Sequence, residues 1–457
     1  MNFKKTAIAM AVATIAVTPA VSAQQFINTD NTGQVILFPF YNTQNGNDTY
    51  MHVVNTTEDA KAVRVTFKEH VNSDIILGFN VYLDAKDTFA FGLTSTDEGG
   101  AAVYAADATC TVPRLGTSNP PYSGTQTELA NGATLRNQPL VNFLYDDEVN
   151  DSITRTSIGH AEVIEMGVVD SSIDVSDCDV IATEWSSGAW ATNPATNVTS
   201  PSGGIYGWSM TINPNQAFSM AMEPTMIDGW ALGSSNYHAN PGSTTPNLSQ
   251  GSPEARITVD GTDVVVDYTL QTNGAVHATS ALLATAASSN EVVVEEVIAA
   301  ETDWVMTFPT KSFYVNGTSA DAPFTAVYDG TEESNVACEE VTMVQYDREA
   351  TSAGPSGDFV PGDDDSGSTY SICNSMTVLR FEEQSALNVS DAKSVSYPFQ
   401  AGWADALFSQ KMPADDNGVV VEGLPVIGFA GTRIVNDVMS YGSATEHKTL
   451  TTTSASS

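Results

Sequence analysis

The chain has 457 residues, 42% of them apolar, which is enough for two or three domains and excludes wholesale disorder. Only 16% are charged, and 55 acidic residues face 17 basic ones, a formal net charge of −38 with a pI near 4.1. Nucleic acid is excluded as a partner, because phosphate contacts need clustered Lys and Arg. Bare anionic lipid is disfavoured on the same ground, and divalent cations are favoured.

Residues 1–23 carry the three parts of a secretory signal peptide: Lys4 and Lys5, an apolar run over 7–17, and small residues at Val21-Ser22-Ala23. No Cys follows, so a lipid anchor is not indicated, and no later stretch is apolar over about 18 residues, so no membrane span is expected. Loss of Lys4 and Lys5 brings the formal charge to −40. A secreted protein facing the outside of the cell is the expected product.

From there the periodicity is that of strands. Residues 34–41 come first, and in 61–68 Val63, Val65 and Phe67 alternate with Arg64, Thr66 and Lys68. Strands are also predicted at 75–83 and 205–212. Asp260-Gly261, flanked by alternating apolar residues, predicts a hairpin with a type I′ turn within 255–270. One helix is predicted over 277–287, then strands at 304–315, 341–346, 376–381 and 419–429. Pro39, Pro309 and Pro425 mark edges or bulges within three of these. Runs rich in Gly, Pro, Ser, Thr and Asn predict loops at 115–138, 184–204, 239–254 and 349–370, and a frayed tail at 449–457. The expected fold is mainly β: two β-sandwich-like domains, 24–285 and 286–457, with long loops and little helix. A membrane barrel is the disfavoured alternative, since the tail lacks a terminal aromatic residue.

Four cysteines in an exported chain suggest disulfides. Sequential pairing, Cys110 with Cys178 and Cys338 with Cys373, keeps each bridge within one domain. A zinc site is the rival, against which stand the wide spacing and the lack of a CxxC pair. Enzyme signatures are missing: there is no GxSxG, HExxH, GxxxxGK[ST] or GxGxxG, and the six histidines show no ligand-like pairing. No catalytic role and no organic cofactor are therefore expected.

Three acidic clusters are candidate Ca²⁺ ligands: Asp146, Asp147, Glu148 and Asp151; Asp363, Asp364 and Asp365; and Asp415, Asp416 and Asn417. Ca²⁺ takes about 6–8 oxygens, and adjacent acids on a turn supply several. None completes an EF-hand pattern, and a solvated acidic turn is the alternative for each. Trp185, Trp190, Trp208, Trp230, Trp304 and Trp403 are candidate contact anchors, with a core role as the alternative.

Several stretches together point further: Gly33 to Tyr41, Val53-Val54-Asn55, Phe79 to Leu83, Asp303 to Lys311 and Gly423 to Phe429. In these the chain resembles a family of exported surface proteins of gammaproteobacteria, whose marine members are similar to surface-layer (S-layer) proteins. The resemblance implies a structural protein that assembles with copies of itself into a two-dimensional lattice outside the outer membrane. It also implies Ca²⁺ as a structural aid and lipopolysaccharide as an anchor. A secreted adhesin or carbohydrate-binding surface protein is the alternative. Four cysteines are more than such coat proteins usually carry.

Overall fold

In Lys61–Glu69 the alternation produces a strand, paired with Ile75–Leu83 on one side and Ile158–Val169 on the other. Both of its faces are buried. Val63, Val65 and Phe67 enter a sandwich core, and Arg64, Thr66 and Lys68, on the opposite face, lie under a second layer of chain. A computed structural model describes residues 23–119, 122–145, 151–329, 337–353, 368–436 and 440–455.

The first sandwich packs two antiparallel sheets. One runs Phe26–Ile27, Thr225–Asp228, Val35–Asn42, Ile158–Val169, Lys61–Glu69, Ile75–Leu83, Cys110–Val112. The other runs Thr125–Glu128, Thr134–Pro139, Ala101–Ala105, Thr88–Ser95, Asp48–Asn55, Ile205–Asn213, Phe218–Met222. Ile36, Phe38, Val65 and Phe79 meet Met51, Val53, Phe89 and Leu93 between them. The second sandwich sets Glu339–Asp347, Ala401–Leu407 and Ala287–Val293 against Met376–Arg380, Ala300–Thr307, Ile427–Val435 and Ser440–Glu446. Trp304, Met306 and Leu379 fill it against Val292, Met343 and Ala404.

The two sandwiches share an apolar seam, in which Phe40, Ile158, Phe218 and Met220 contact Val305, Met376, Val378 and Phe429. Beside it, the helix Gly274–Leu283 and the hairpin formed by Glu254–Val259 and Thr262–Asp267 cover the back of the first sheet. Asp260 (φ 49°) and Gly261 (φ 74°) form the left-handed pair of that hairpin's tight turn.

Pro39 lies at a bulge, as expected of a proline within a strand: the register shifts between Gly159 and Ala161, so its missing N–H leaves no gap in the ladder. Other expectations are corrected. The strand expected over 304–315 stops at Thr307. Past Pro309 the chain turns into the short helix Ser312–Val315. Residues 115–138 carry the strands Thr125–Glu128 and Thr134–Pro139, whose polar composition suits an exposed sheet edge. Within 184–204 lie the end of the helix Cys178–Ser186 and the turn Ala189–Thr192. Through residue 455 the tail is paired rather than frayed: Lys448–Leu450 pairs with Ala287–Val293, and Thr453–Ala455 with Val419–Val421. Backbone pairing holds it, which its small polar side chains could not announce. Cys110 bonds Cys178 and Cys338 bonds Cys373. Among the described residues no helix is long and apolar enough to cross a membrane.

Candidate functional site

Where the few basic residues go decides the character of the surface. Six of them, Lys61, Arg64, Lys68, Arg155, Lys311 and Arg433, are no more than 6% exposed. Lys61 Nζ lies 2.7 Å from Glu165 Oε1, Lys68 Nζ 2.5 Å from Glu162 Oε1, and Arg433 Nη2 2.6 Å from Glu301 Oε2. Arg155 clamps Glu69 at 3.1 Å, while Arg64 and Lys311 donate to main-chain carbonyls. Of the basic residues left outside, Lys86, Arg348 and Lys411 already face Glu58, Glu295 and Glu422. The shell is therefore more uniformly anionic than the composition implies.

The acidic clusters fare differently from one another. Asp363, Asp364 and Asp365, and Asp146, Asp147 and Glu148, lie outside the described residues. Asp151 is exposed, and its carbonyl accepts from Asn142 Nδ2 at 2.6 Å. Asp415 is buried, its Oδ1 accepting from the amides of Asn417 (2.9 Å) and Val419 (2.7 Å) and its Oδ2 from Asp267 N (3.1 Å). Asp416 Oδ2 accepts from Leu270 N at 2.7 Å. These two carboxylates pin the 413–418 turn to the foot of the hairpin, and a cation there would have to share them with four amides. Among the described residues no three His, Cys, Asp or Glu side chains gather in a metal-holding group. Asp415→Ala is expected to cost about 1–3 kcal/mol, since it strands buried amide donors, and the denaturant midpoint reads that loss.

The tryptophans divide evenly. Trp190, Trp230 and Trp304 are fully buried, whereas Trp185, Trp208 and Trp403 are half-buried. Trp185 Nε1 donates to Tyr82 Oη (2.7 Å), and His238 Nδ1 lies 2.6 Å from Pro194 O. That carbonyl can only accept, so Nδ1 carries the proton and Nε2 accepts from Tyr82 Oη at 2.8 Å. Burial pushes His238 down to about 4. This closed relay is structural, so Trp185 is spent on packing.

Trp208 stands elsewhere, on the outward face of the second sheet of the first sandwich. In Ile205–Asn213 every second residue is buried, which turns Trp208, Met210 and Ile212 outward. Asp48–Asn55 alternates the same way and turns out Tyr50, His52 and Val54. Cross-strand pairing sets Trp208 beside His52 and Met210 beside Tyr50, then His52 beside Ala90 and Tyr50 beside Gly92. The His52 ring stands edge-on to Tyr50 (4.7 Å) and to Trp208 (5.4 Å), and desolvation holds its pKa below the usual value. Across Thr88–Ser95, Asp48–Asn55, Ile205–Asn213 and Phe218–Met222, Asp48 is the only outward residue with a formal charge. An aromatic sheet face with Asp48 as its one formal charge can pack against another surface at far smaller electrostatic penalty than the rest of an anionic shell.

Of this face the sequence reading singled out Trp208 alone. In 48–55 both alternating sets, Tyr50/His52/Val54 and Thr49/Met51/Val53, are largely apolar, so the strand shows no amphipathic contrast. The aromatic spacing Tyr50-x-His52 was the available signal. No protein-family model, curated protein or solved structure matches the chain.

Proposed function

We propose that the chain is a structural surface-layer protein, without enzymatic activity, that tiles with its own copies outside the cell. Ca²⁺ would bridge its carboxylates, and lipopolysaccharide would anchor it. The observation that carries this reading is the aromatic face holding Tyr50, His52 and Trp208, where Asp48 is the one formal charge, on an otherwise anionic shell. Dispersed copies repel one another in dilute buffer. Salt shortens the Debye length to about 3 Å at 1 M, and the aromatic faces then meet. The two disulfides fit an oxidising compartment.

Sedimentation of the chain from residue 24 onward tests the reading. Pelletable assemblies are expected at high salt with millimolar Ca²⁺, and monomers at low salt with chelator. Trp208→Asp should cut the pelletable fraction about tenfold or more at unchanged melting temperature, as loss of a central aromatic anchor does. A chain that stays monomeric throughout, or a variant that pellets like its parent, overturns the proposal.

A further inference from the structure

Where most basic residues are buried or face an acid, Arg114 and Arg136 stand together at one side of the first sandwich. Arg136 lies on Thr134–Pro139, cross-strand from Gln126 of the edge strand Thr125–Glu128. Arg114 lies on the loop that leaves Cys110–Val112, the edge strand of the facing sheet. That loop is fixed from below. Leu115 is buried in the sandwich core, its amide donates to Thr111 Oγ1 (3.1 Å), and Thr117 Oγ1 donates to Arg114 O (2.7 Å). Gly116, at φ 75°, presses onto the neighbouring sheet so closely that a Cβ would meet Arg136 Cβ at 3.0 Å and Gln126 Cγ at 3.1 Å. A left-handed glycine is what lets the loop set one arginine beside the other.

Among the described residues no carboxylate is ion-paired with either guanidinium. Asp107, whose charge draws on Arg136, spends Oδ1 on the amide of Thr109 (2.8 Å) and Oδ2 on that of Ala90 (3.0 Å). It offers Arg136 Nη1 only its carbonyl, at 2.5 Å. The exposed Arg114 side chain has neither a hydrogen bond nor an ion pair to a described residue. Partial desolvation and the Arg114 charge both pull Arg136 below its ordinary value. Like charges held together by a folded loop cost stability, and such arrangements mark sites that a ligand of opposite charge completes.

The pair selects its ligand by charge and shape. A carboxylate fills one guanidinium fork and leaves the second cation unmatched. A phosphate monoester brings close to two negative charges and three acceptor oxygens, enough for both forks. A nucleic-acid backbone needs a long track of such contacts, which a chain of net charge −38 does not offer. That charge also repels small free anions at low ionic strength, whereas phosphates repeated along one polymer gain from effective concentration. With Arg114 exposed and Arg136 half-buried, the pair is open to a bulky carrier.

We infer that Arg114 and Arg136 together bind the phosphate group of a phosphorylated saccharide. The inference rests on the proposed function only in taking the anchor, lipopolysaccharide, as one carrier of that phosphate. A free sugar phosphate is the second source of the same chemistry.

The test uses the chain from residue 24 onward, in low salt with chelator. Glucose 1-phosphate, inorganic phosphate and glucose are titrated by calorimetry. Cosedimentation with the lipopolysaccharide of the source cells follows, before and after enzymatic dephosphorylation. Glucose 1-phosphate is expected to bind with a millimolar dissociation constant, and glucose not at all. Arg114→Gln and Arg136→Gln should each weaken it about tenfold or more, with a smaller loss for Arg114→Lys, which keeps the charge but not the fork. Arg114→Gln should leave the melting temperature unchanged or raise it, since a repulsion is removed, a split that a structural role would not give. Cosedimentation lost on dephosphorylation identifies the anchor as the source, and cosedimentation unchanged beside intact sugar-phosphate binding identifies the free ester. If glucose 1-phosphate does not bind, or if both Gln variants bind it like their parent, the inference is wrong. A chain that never pellets with Ca²⁺ would overturn self-assembly and leave this binding standing.

Discussion

Replacing Lys61 with methionine is expected to lower folding stability by about 3–5 kcal/mol, with a defect that grows as pH rises. Lys61 and Glu165 are both fully buried, 2.7 Å apart, on neighbouring strands at the heart of the first sheet. Burial pushes the Glu165 carboxyl up, and Lys61 together with the amides of Ser202 and Gly203 holds it back. Without the ammonium, Glu165 must either stay charged and unpaired or take up a proton. The second course is easy at pH 5 and increasingly costly at pH 8. Guanidinium midpoints at the two pH values check the claim. Lys61→Met combined with Glu165→Leu should recover most of the loss, because a buried pair contributes little beyond its apolar replacement. A single variant within about 1 kcal/mol of its parent at pH 8 would sink the argument.

The second large effect belongs to Lys311, buried at the root of the Cys338–Cys373 bridge. Its ammonium donates to Ala337 O and to Asn374 O (2.8 Å), the carbonyls flanking the two half-cystines, and lies 5.6 Å from the rings of Phe308 and Phe324. Burial pushes its pKa down to about 7, with Glu339 pulling the other way. Below pH 7 both folded and unfolded chains carry the proton. From pH 7 to about 10.4 only the unfolded chain does, so the folded state gains as pH rises. The stability difference between the native chain and Lys311→Met should therefore climb by up to about 1.4 kcal/mol per pH unit across that window. Denaturant titrations of both proteins from pH 6 to 10 measure it, and a difference independent of pH would show that the amine titrates normally.

Strands announced themselves where apolar and polar residues alternate or where a turn demands particular residues. Ile75–Leu83 and the Asp260-Gly261 hairpin were legible for those reasons. Alternation does not report what covers the polar side, so nothing in the pattern showed that Arg64 and Lys68 are buried. The edge strands Thr125–Glu128 and Lys448–Leu450 escaped because main-chain pairing, not side-chain pattern, places them. For the sites, composition disclosed an acidic chain but not that its basic residues are drawn inside. The pairing of Arg114 with Arg136 was invisible for a similar reason. The two meet only once the chain has folded.

The strand Ile158–Val169 sits between Val35–Asn42 and Lys61–Glu69, although the ribosome makes it long after both. Until it emerges, Val35–Asn42 and Lys61–Glu69 lack the strand that joins them, and non-local pairing of this kind is slow. The two parts of the first sheet are thus locked together only after residue 169 has been made, which leaves the early chain open to unfolding for as long as its central strand is missing.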